Sequence, residues 1–303
     1  MRVELRDTLA SAYRSCPVFR GKAKLGVLLG RLLALRSNDP DNLVTFTMRD
    51  GSCMRLDLRS RMEKWAFWTG HYEPQMIALL RSFLRPGSVV LDVGANIGFY
   101  SVALGRDLLE KGGTLHAFEP TENNFLRLRD VIRLNHLERI VYAHKIALGD
   151  ANREIRMSLE DTDNASTGNA VVLESGPSHA KGNETALDRM FVEQRANVTA
   201  TMTTLDDFCL GTNLERCDLI KLDIEGAELM FLKGSRKFIS QHRPIIFGEF
   251  SAHWLAMRGQ SFIEVVEFFA GMDYKFSKVH ESGTMVPLLE PGIGSENVLL
   301  TPI

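Results

Sequence analysis

The run Val89-Val90-Leu91-Asp92-Val93-Gly94-Ala95-Asn96-Ile97-Gly98 carries an apolar strand into a glycine turn that opens a helix, the local arrangement of a nucleotide-cofactor socket. Gly94 and Gly98 allow a sharp turn and a close approach to a ligand where a Cβ would collide. In a dinucleotide socket the N–H groups of such a turn face a pyrophosphate, and the acid waits at the end of the following strand. Here Asp92 already sits beside the turn. A carboxylate at that point repels a pyrophosphate and suits an ammonium. Asn96 is placed to donate to the ligand or to cap the helix, and the two roles are compatible. Farther on, the strand-like run 114–118 ends in Glu119, about 20 residues past the turn, where a ribose diol lies and one carboxylate can accept from both hydroxyls. Between them, residues 99–109 hold apolar positions at helical spacing, which completes one βαβ unit.

A loop suited to an ammonium fits an amino-acid tail such as the methionine part of S-adenosyl-L-methionine, with Glu119 at the ribose. The segment Asp218-Leu219-Ile220-Lys221-Leu222-Asp223-Ile224-Glu225-Gly226-Ala227-Glu228 repeats the strand-to-acid logic. Taken with Tyr72-Glu73-Pro74, Phe118-Glu119-Pro120, Thr204-Leu205-Asp206 and the stretch from Pro244 to Glu249, it resembles the FkbM family of S-adenosylmethionine-dependent methyltransferases, over about two-thirds of the chain. The resemblance implies a Rossmann-like class I methyltransferase fold and methylation of a hydroxyl on a sugar, glycan or secondary metabolite. Glu73 is similar to the family's acid before the first strand, which implies a place near the methionine end of the cofactor.

Methyl transfer from a sulfonium is an in-line displacement, so the acceptor oxygen must be held about 3 Å from the methyl carbon. A protonated hydroxyl is a poor nucleophile, and a base or a metal ion that lowers its pKa assists. Asp223 closes an apolar strand and is read as functional. Glu225 begins the next turn, and is equally an N-terminal helix acid favourable to the dipole. Glu249 occupies the corresponding end of the next strand, with His253 four residues later, a general base or a histidine packed at a helix start. These four are the acceptor-side candidates. They could together hold a hard divalent cation, but no tight ligand spacing supports one, and a base is preferred with no metal assigned. Asn124, Ala147 and Asp150 are adenine-side candidates, Asp150 being equally a turn residue. Glu228 reads as a solvated helix residue, and His71, His116, His144 and His280 show no partner.

The elements that must position these groups follow from periodicity. Residues 3–35 look helical, with Arg14, Arg20, Lys22, Lys24 and Arg31 among apolar positions. A cover on the catalytic domain or a homo-oligomer contact is preferred there to contact with an anionic membrane. Residues 43–48 and 53–58 alternate around Asp50-Gly51 as a hairpin. Trp65, Phe67 and Trp68 cluster next and read as core. Helix 73–84 leads to the first strand, and helix 122–134 and strand 140–147 continue the alternation. Short strands are expected at 153–159 and 170–173, and the polar stretch 174–197 reads as a loop over the site or an excursion. Strand 198–203, the capped helix 204–210 and strand 217–222 follow. Beyond them lie a helix closed by Lys233-Gly234, strand 244–250, helix 262–270, and strands 274–279 and 297–300. The sum is an α/β chain with a mostly parallel seven-stranded sheet ending in an antiparallel edge hairpin. An N-terminal helical and hairpin extension (1–70) precedes a methyltransferase domain (71–303).

Composition narrows the alternatives. A chain of 303 residues supports one α/β domain with an extension. Its net charge of −2 gives no reason to expect a nucleic-acid partner, and an Asn-Pro-Pro-aromatic run typical of base-amino methylation is replaced by Asp223-Ile224-Glu225-Gly226. Cys16, Cys53, Cys209 and Cys217 form no CxxC pair, which fits reduced thiols in a cytoplasmic protein. No apolar run reaches a membrane-span length, and residues 1–7 lack a signal-peptide pattern. The competing functions are a nicotinamide oxidoreductase, disfavoured by the missing third glycine and by Asp92, and a non-catalytic nucleotide-binding module.

Overall fold

A computed structural model describes residues 2–17, 22–32, 39–159, 170–173, 197–288 and 295–303. Its centre is a sheet of eight strands in the order β13-β12-β14-β11-β10-β3-β4-β5. Five of these run parallel: β5 (Val141–His144), β4 (Thr114–Phe118), β3 (Val89–Val93), β10 (Leu219–Leu222) and β11 (Ile245–Ser251). The last three are antiparallel, with β14 (Ser295–Pro302) inserted between β11 and β12 (Tyr274–Val279), and β13 (Met285–Pro287) at the edge. The sheet is therefore the expected mostly parallel one, longer by β13. The order reverses at β3, which lies between β4 and β10, and in open α/β sheets the ligand crevice forms outside the strand ends at such a switch point.

Continuous apolar runs make the central strands, since a parallel sheet is covered on both faces. Val90, Leu91, Leu115, Ile220, Leu222 and Ile246 are all fully buried. Helices α5 (Phe99–Lys111) and α6 (Glu122–Leu134) carry the crossovers β3 to β4 and β4 to β5. Strand 140–147 departs from its expected form. It breaks after His144, and β6 (Ala147–Leu148) joins a second sheet of order β6-β9-β7-β8, with β7 at Arg153–Leu159, β8 at Ala170–Leu173 and β9 at Asn197–Thr203. The loop expected over the site, 174–197, lies outside the described residues except for its last.

The N-terminal part consists of α1 (Arg2–Ser15), α2 (Lys22–Leu32), the hairpin β1 (Leu43–Thr47) with β2 (Cys53–Asp57), and α3 (Arg61–Thr69). It shares one apolar cluster with the sheet, running from Ala10, Tyr13 and Trp68 through Met54 and Leu56 to Leu80, Leu104 and Val90. Phe67 and Trp68 are core as expected, while Trp65 is exposed. Two polar links fix the junction. Buried Glu63 takes the Arg127 guanidinium of α6 and the Asp57 N–H, and Asn135 exchanges hydrogen bonds with both backbone groups of Cys53. No helix among the described residues is long and apolar enough to cross a membrane.

Candidate active site

The glycine turn is held from within. Gly94 and Ala95 both donate to Phe118 O, at 3.1 and 2.9 Å, and Gly98 donates to Ala95 O at 2.9 Å. Asn96 N donates to Glu119 Oε2 at 3.0 Å. These N–H groups are thereby spent on the protein, so a pyrophosphate finds few donors here, unlike in a dinucleotide socket. The reason for Gly94 also differs from expectation. A Cβ at that position would lie 1.9 Å from Asp223 O, and the residue has φ +79°. It is glycine because the β10 loop crosses against it, before any ligand is considered. At Gly98 a Cβ would meet Leu128 Cδ1 at 2.7 Å, so that glycine lets α5 and α6 close together.

Asp92 does not face a ligand. It is fully buried; its Oδ2 accepts from Ser101 Oγ at 2.6 Å, and its Oδ1 lies 3.4 Å from Lys221 Nζ. The ammonium it was expected to attract is therefore supplied by the protein itself. Lys221 stands opposite Asp92 in the β3–β10 register. Its Nζ donates to Gly94 O at 2.9 Å, lies 3.4 Å from Asp223 Oδ2, and sits 5.2 Å above the Tyr100 ring. Burial alone would lower its pKa, but Asp223, Asp92 and Glu73 outweigh that and raise it. Sequence reading passed over this lysine. The signal was a lone cation inside the buried strand Leu219–Leu222, a position charges seldom occupy unpaired.

Around Lys221 the structure gathers carboxyls from separate elements. Glu73 leads into α4 (Pro74–Phe83), and Tyr100 Oη donates to its Oε2, which holds the carboxylate beside the phenol oxygen. Asp223 and Glu225 follow β10, and Glu249 is near the end of β11. Loss of hydration raises Glu225 to about 8, helped by Asp223, Glu249 and Glu228. Glu73 and Glu249 are raised by the same cause, with Asp223 adding to both. Glu73, Asn96 and Glu225 have φ of 37°, 50° and 52°, an uncommon region for residues other than glycine, and such strain concentrates at ligand sites. Glu228, read as solvated, is buried instead. Its Oε1 accepts from Gly226 N at 3.0 Å and Ile224 N at 3.3 Å, tying down the Asp223–Gly226 turn, and burial raises it to about 7.

Glu119 follows β4 and lines the same crevice. Its Oε1 accepts from Thr121 N at 2.9 Å and from Thr121 Oγ1. Desolvation raises its pKa, and the bonds from Thr121 and Asn96 pull it back. The crevice has about 850 Å³ of space open to solvent, and its apolar lining includes Phe118, Ile146, Leu148, Met157 and Val172. Gly94, Asn96, Glu119, Asn124, Ala147, Asp223 and Glu225 all line it. Six expected residues are not in its wall: Glu73, Asp92 and Gly98, described above, and Asp150, Glu249 and His253. Asp150 is an exposed turn acid 2.8 Å from Arg153 Nη1. His253 is exposed, its ring 5.4 Å from that of Trp254, and neither it nor Glu249 borders the crevice. Two histidines read as unpartnered form a pair, with His116 Nδ1 3.0 Å from His144 Nε2 and the rings stacked. Among the described residues no group of three His, Cys, Asp or Glu is arranged to hold a metal ion.

A family model described as the methyltransferase FkbM domain matches residues 92–276, more than half of the chain. This chain belongs to the FkbM family of S-adenosylmethionine-dependent methyltransferases. The FkbM match begins at Asp92 and includes Glu119, Lys221, Asp223, Glu225 and Glu249. Among relatives, the chain is 27% identical over 177 residues to the 2-O-methyltransferase NoeI of Sinorhizobium fredii (strain NBRC 101917 / NGR234), covering 58% of this chain and 68% of that one. It is 54% identical over 46 residues to the 31-O-demethyl-FK506 methyltransferase FkbM of Streptomyces tacrolimicus, 15% of this chain and 17% of that protein. A solved methyltransferase FkbM from Methylobacillus flagellatus KT superposes with a TM-score of 0.46 at 18% identity, over 78% of this chain and about half, 52%, of the other.

Proposed function

We propose that this FkbM methyltransferase transfers the methyl group of S-adenosylmethionine to a hydroxyl oxygen of a sugar, glycan or secondary metabolite. The observation that carries the reading is the mixed lining of the crevice. Its lining joins apolar side chains that suit an adenine, among them Phe118, Ile146 and Leu148, to Glu119 and to Asp223 and Glu225 around Lys221. The relatives named above carry O-methyltransferase names, which supports oxygen as the acceptor atom.

The residues fit the donor. Glu119 keeps acceptor lone pairs beyond its bonds to Asn96 and Thr121, enough for a ribose hydroxyl. The carboxylate of Glu73 suits the ammonium end, and the surplus of negative charge favours a cationic ligand over its neutral product. When bound, the donor supplies an electrophilic methyl carbon on a sulfonium. The protein's own part is positioning, which carries most of the rate, together with removal of the hydroxyl proton. Asp223, oriented by Lys221, holds the acceptor, and Glu225 takes its proton. Glu225 is suited to this because a base works best with a pKa near the working pH, and its own is about 8. The test is incubation with donor and a panel of sugars, glycans and polyketide alcohols, read by mass and by the position of the new methyl. Methyl on oxygen, in the presence of a chelator, supports the reading. Methyl on nitrogen or carbon overturns it, and activity lost to chelation and restored by magnesium moves proton removal from Glu225 to a metal.

A further inference from the structure

The turn that carries Asp223 and Glu225 is closed by an unusual group. Glu228 opens the short helix Glu228–Lys233, and its Oε1 folds back to accept from Gly226 N at 3.0 Å and Ile224 N at 3.3 Å. Those are the two neighbours of Glu225 in the chain, so one oxygen grips the backbone on both sides of it. Other helix starts in this chain are closed by hydroxyls: Ser60, Thr204 and Ser251 each accept from an N–H of the first turn. Glu228 is instead a carboxyl with 1% of its surface exposed, and its Oε2 is buried without a hydrogen-bond partner among the described residues. A buried carboxyl with an idle oxygen costs folding free energy that a neutral cap spares, so stability alone does not account for it.

Its neighbours supply the reason. Glu225 has φ 52°, and a backbone so placed persists only where its surroundings over-determine it. Gly226, at φ +89°, is packed so closely that a Cβ there would lie 2.7 Å from Trp254 Cβ. The two bonds to Glu228 and the contact with Trp254 together fix the backbone from which Glu225 reaches the crevice wall. Charge adds a second effect. Beyond the loss of hydration, Asp223, Glu249 and Glu228 raise the pKa of Glu225, and Lys221 lowers it. Of those three carboxyls, Asp223 lies 3.4 Å from Lys221 and Glu249 stands on another strand, whereas Glu228 is bonded into Glu225's own turn.

We propose that Glu228 is a positioning residue for methyl transfer: it holds the backbone that presents Glu225, and its negative charge makes Glu225 a stronger base. The proposal rests on Glu225 as the proton acceptor. The test is a pH titration by nuclear magnetic resonance of the full ligand-free chain, with glutamate labelled at the carboxyl carbon and the Glu225 signal assigned by Glu225→Gln. Glu228→Gln keeps an oxygen for the two N–H groups and removes the charge, so the Glu225 signal should titrate about one unit lower than in the wild type. This reading needs no acceptor. With an acceptor found by the panel above, the rising limb of kcat should move down in pH by the same amount. Glu228→Ala loses the two bonds as well, and kcat should fall about a hundredfold, the scale of a small misplacement of a reacting group, with little change in calorimetric affinity for S-adenosylmethionine. Should the alanine variant melt early, the glutamine variant decides. A Glu225 signal unmoved in Glu228→Gln overturns the proposal alone, as does a folded alanine variant that turns over normally. A Glu225→Gln enzyme that keeps its rising limb sinks the base assignment, and the proposal with it, whatever the carbon signal shows.

Discussion

Glu225 combines a left-handed backbone, a place in the crevice wall and a carboxyl raised to about 8. Replacing it with glutamine keeps the shape and removes the proton acceptor, so turnover should fall by about two orders of magnitude or more, the usual scale for losing a positioned base. Calorimetric affinity for the donor should change little. In the wild type, turnover should rise as the pH climbs toward about 8 and level beyond it, because the acid form cannot accept a proton. Glu225→Gln should lose that rising limb, and a mutant that keeps it would take Glu225 out of the proton transfer. Lys221 makes a different prediction. Lys221→Met leaves Asp92 buried without its counter-charge, which should destabilise the fold by about 3–5 kcal/mol, the scale for breaking a buried pair. Denaturant unfolding of the mutant reads this directly, and a loss below ~1 kcal/mol would show that the pair is not structural. Asp92 illustrates the limit of reading residues one at a time. Its position beside the turn was legible, but its partner was fixed by strand register 129 residues away from Asp92 in Lys221's own strand pairing.

At the scale of elements, the strand, glycine loop, helix and acid of the first βαβ unit follow from spacing alone, because apolar runs and glycine turns are local signals. The hairpin around Asp50-Gly51 and the Thr204 cap, whose hydroxyl accepts from Asp207 N at 3.0 Å, were legible for the same reason. What was not legible depends on contacts between elements. The reason for Gly94 is the β10 loop, whose approach no local pattern records. Gly94→Ala therefore tests the element rather than the ligand. With a Cβ 1.9 Å from Asp223 O and φ at +79°, the mutant should lower the melting temperature as well as donor affinity, and scanning calorimetry of the ligand-free protein checks it. An unchanged melting temperature with lost binding would return Gly94 to the simpler role of giving the ligand room. The burial of Glu228 belongs here too. Its place beyond a Gly-Ala pair suggested an ordinary helix acid, but its oxygen closes the turn that carries Asp223 and Glu225.

For the whole molecule, carboxyls held above their ordinary value make stability depend on pH. Glu225 and Glu228 have folded values of about 8 and about 7 against an ordinary 4.5. Between those values the folded chain keeps protons that the unfolded chain has released, so stability is greatest at the acid end of the window and is lost as the pH rises through it. The melting temperature of the ligand-free protein should therefore fall from near pH 5 toward pH 8, and Glu228→Gln should flatten that fall by removing one contributor. A cationic donor should restore part of it at the alkaline end, since it favours the charged carboxyls. Such a crevice is stable only by compromise, consistent with a site that spends folding free energy on ligand charge. The account stands most directly on one titration. Calorimetry of the purified chain with S-adenosylmethionine, S-adenosylhomocysteine and NAD should show one-to-one binding of the first two and none of the third. Heat from NAD alone, or from none of the three, would contradict it.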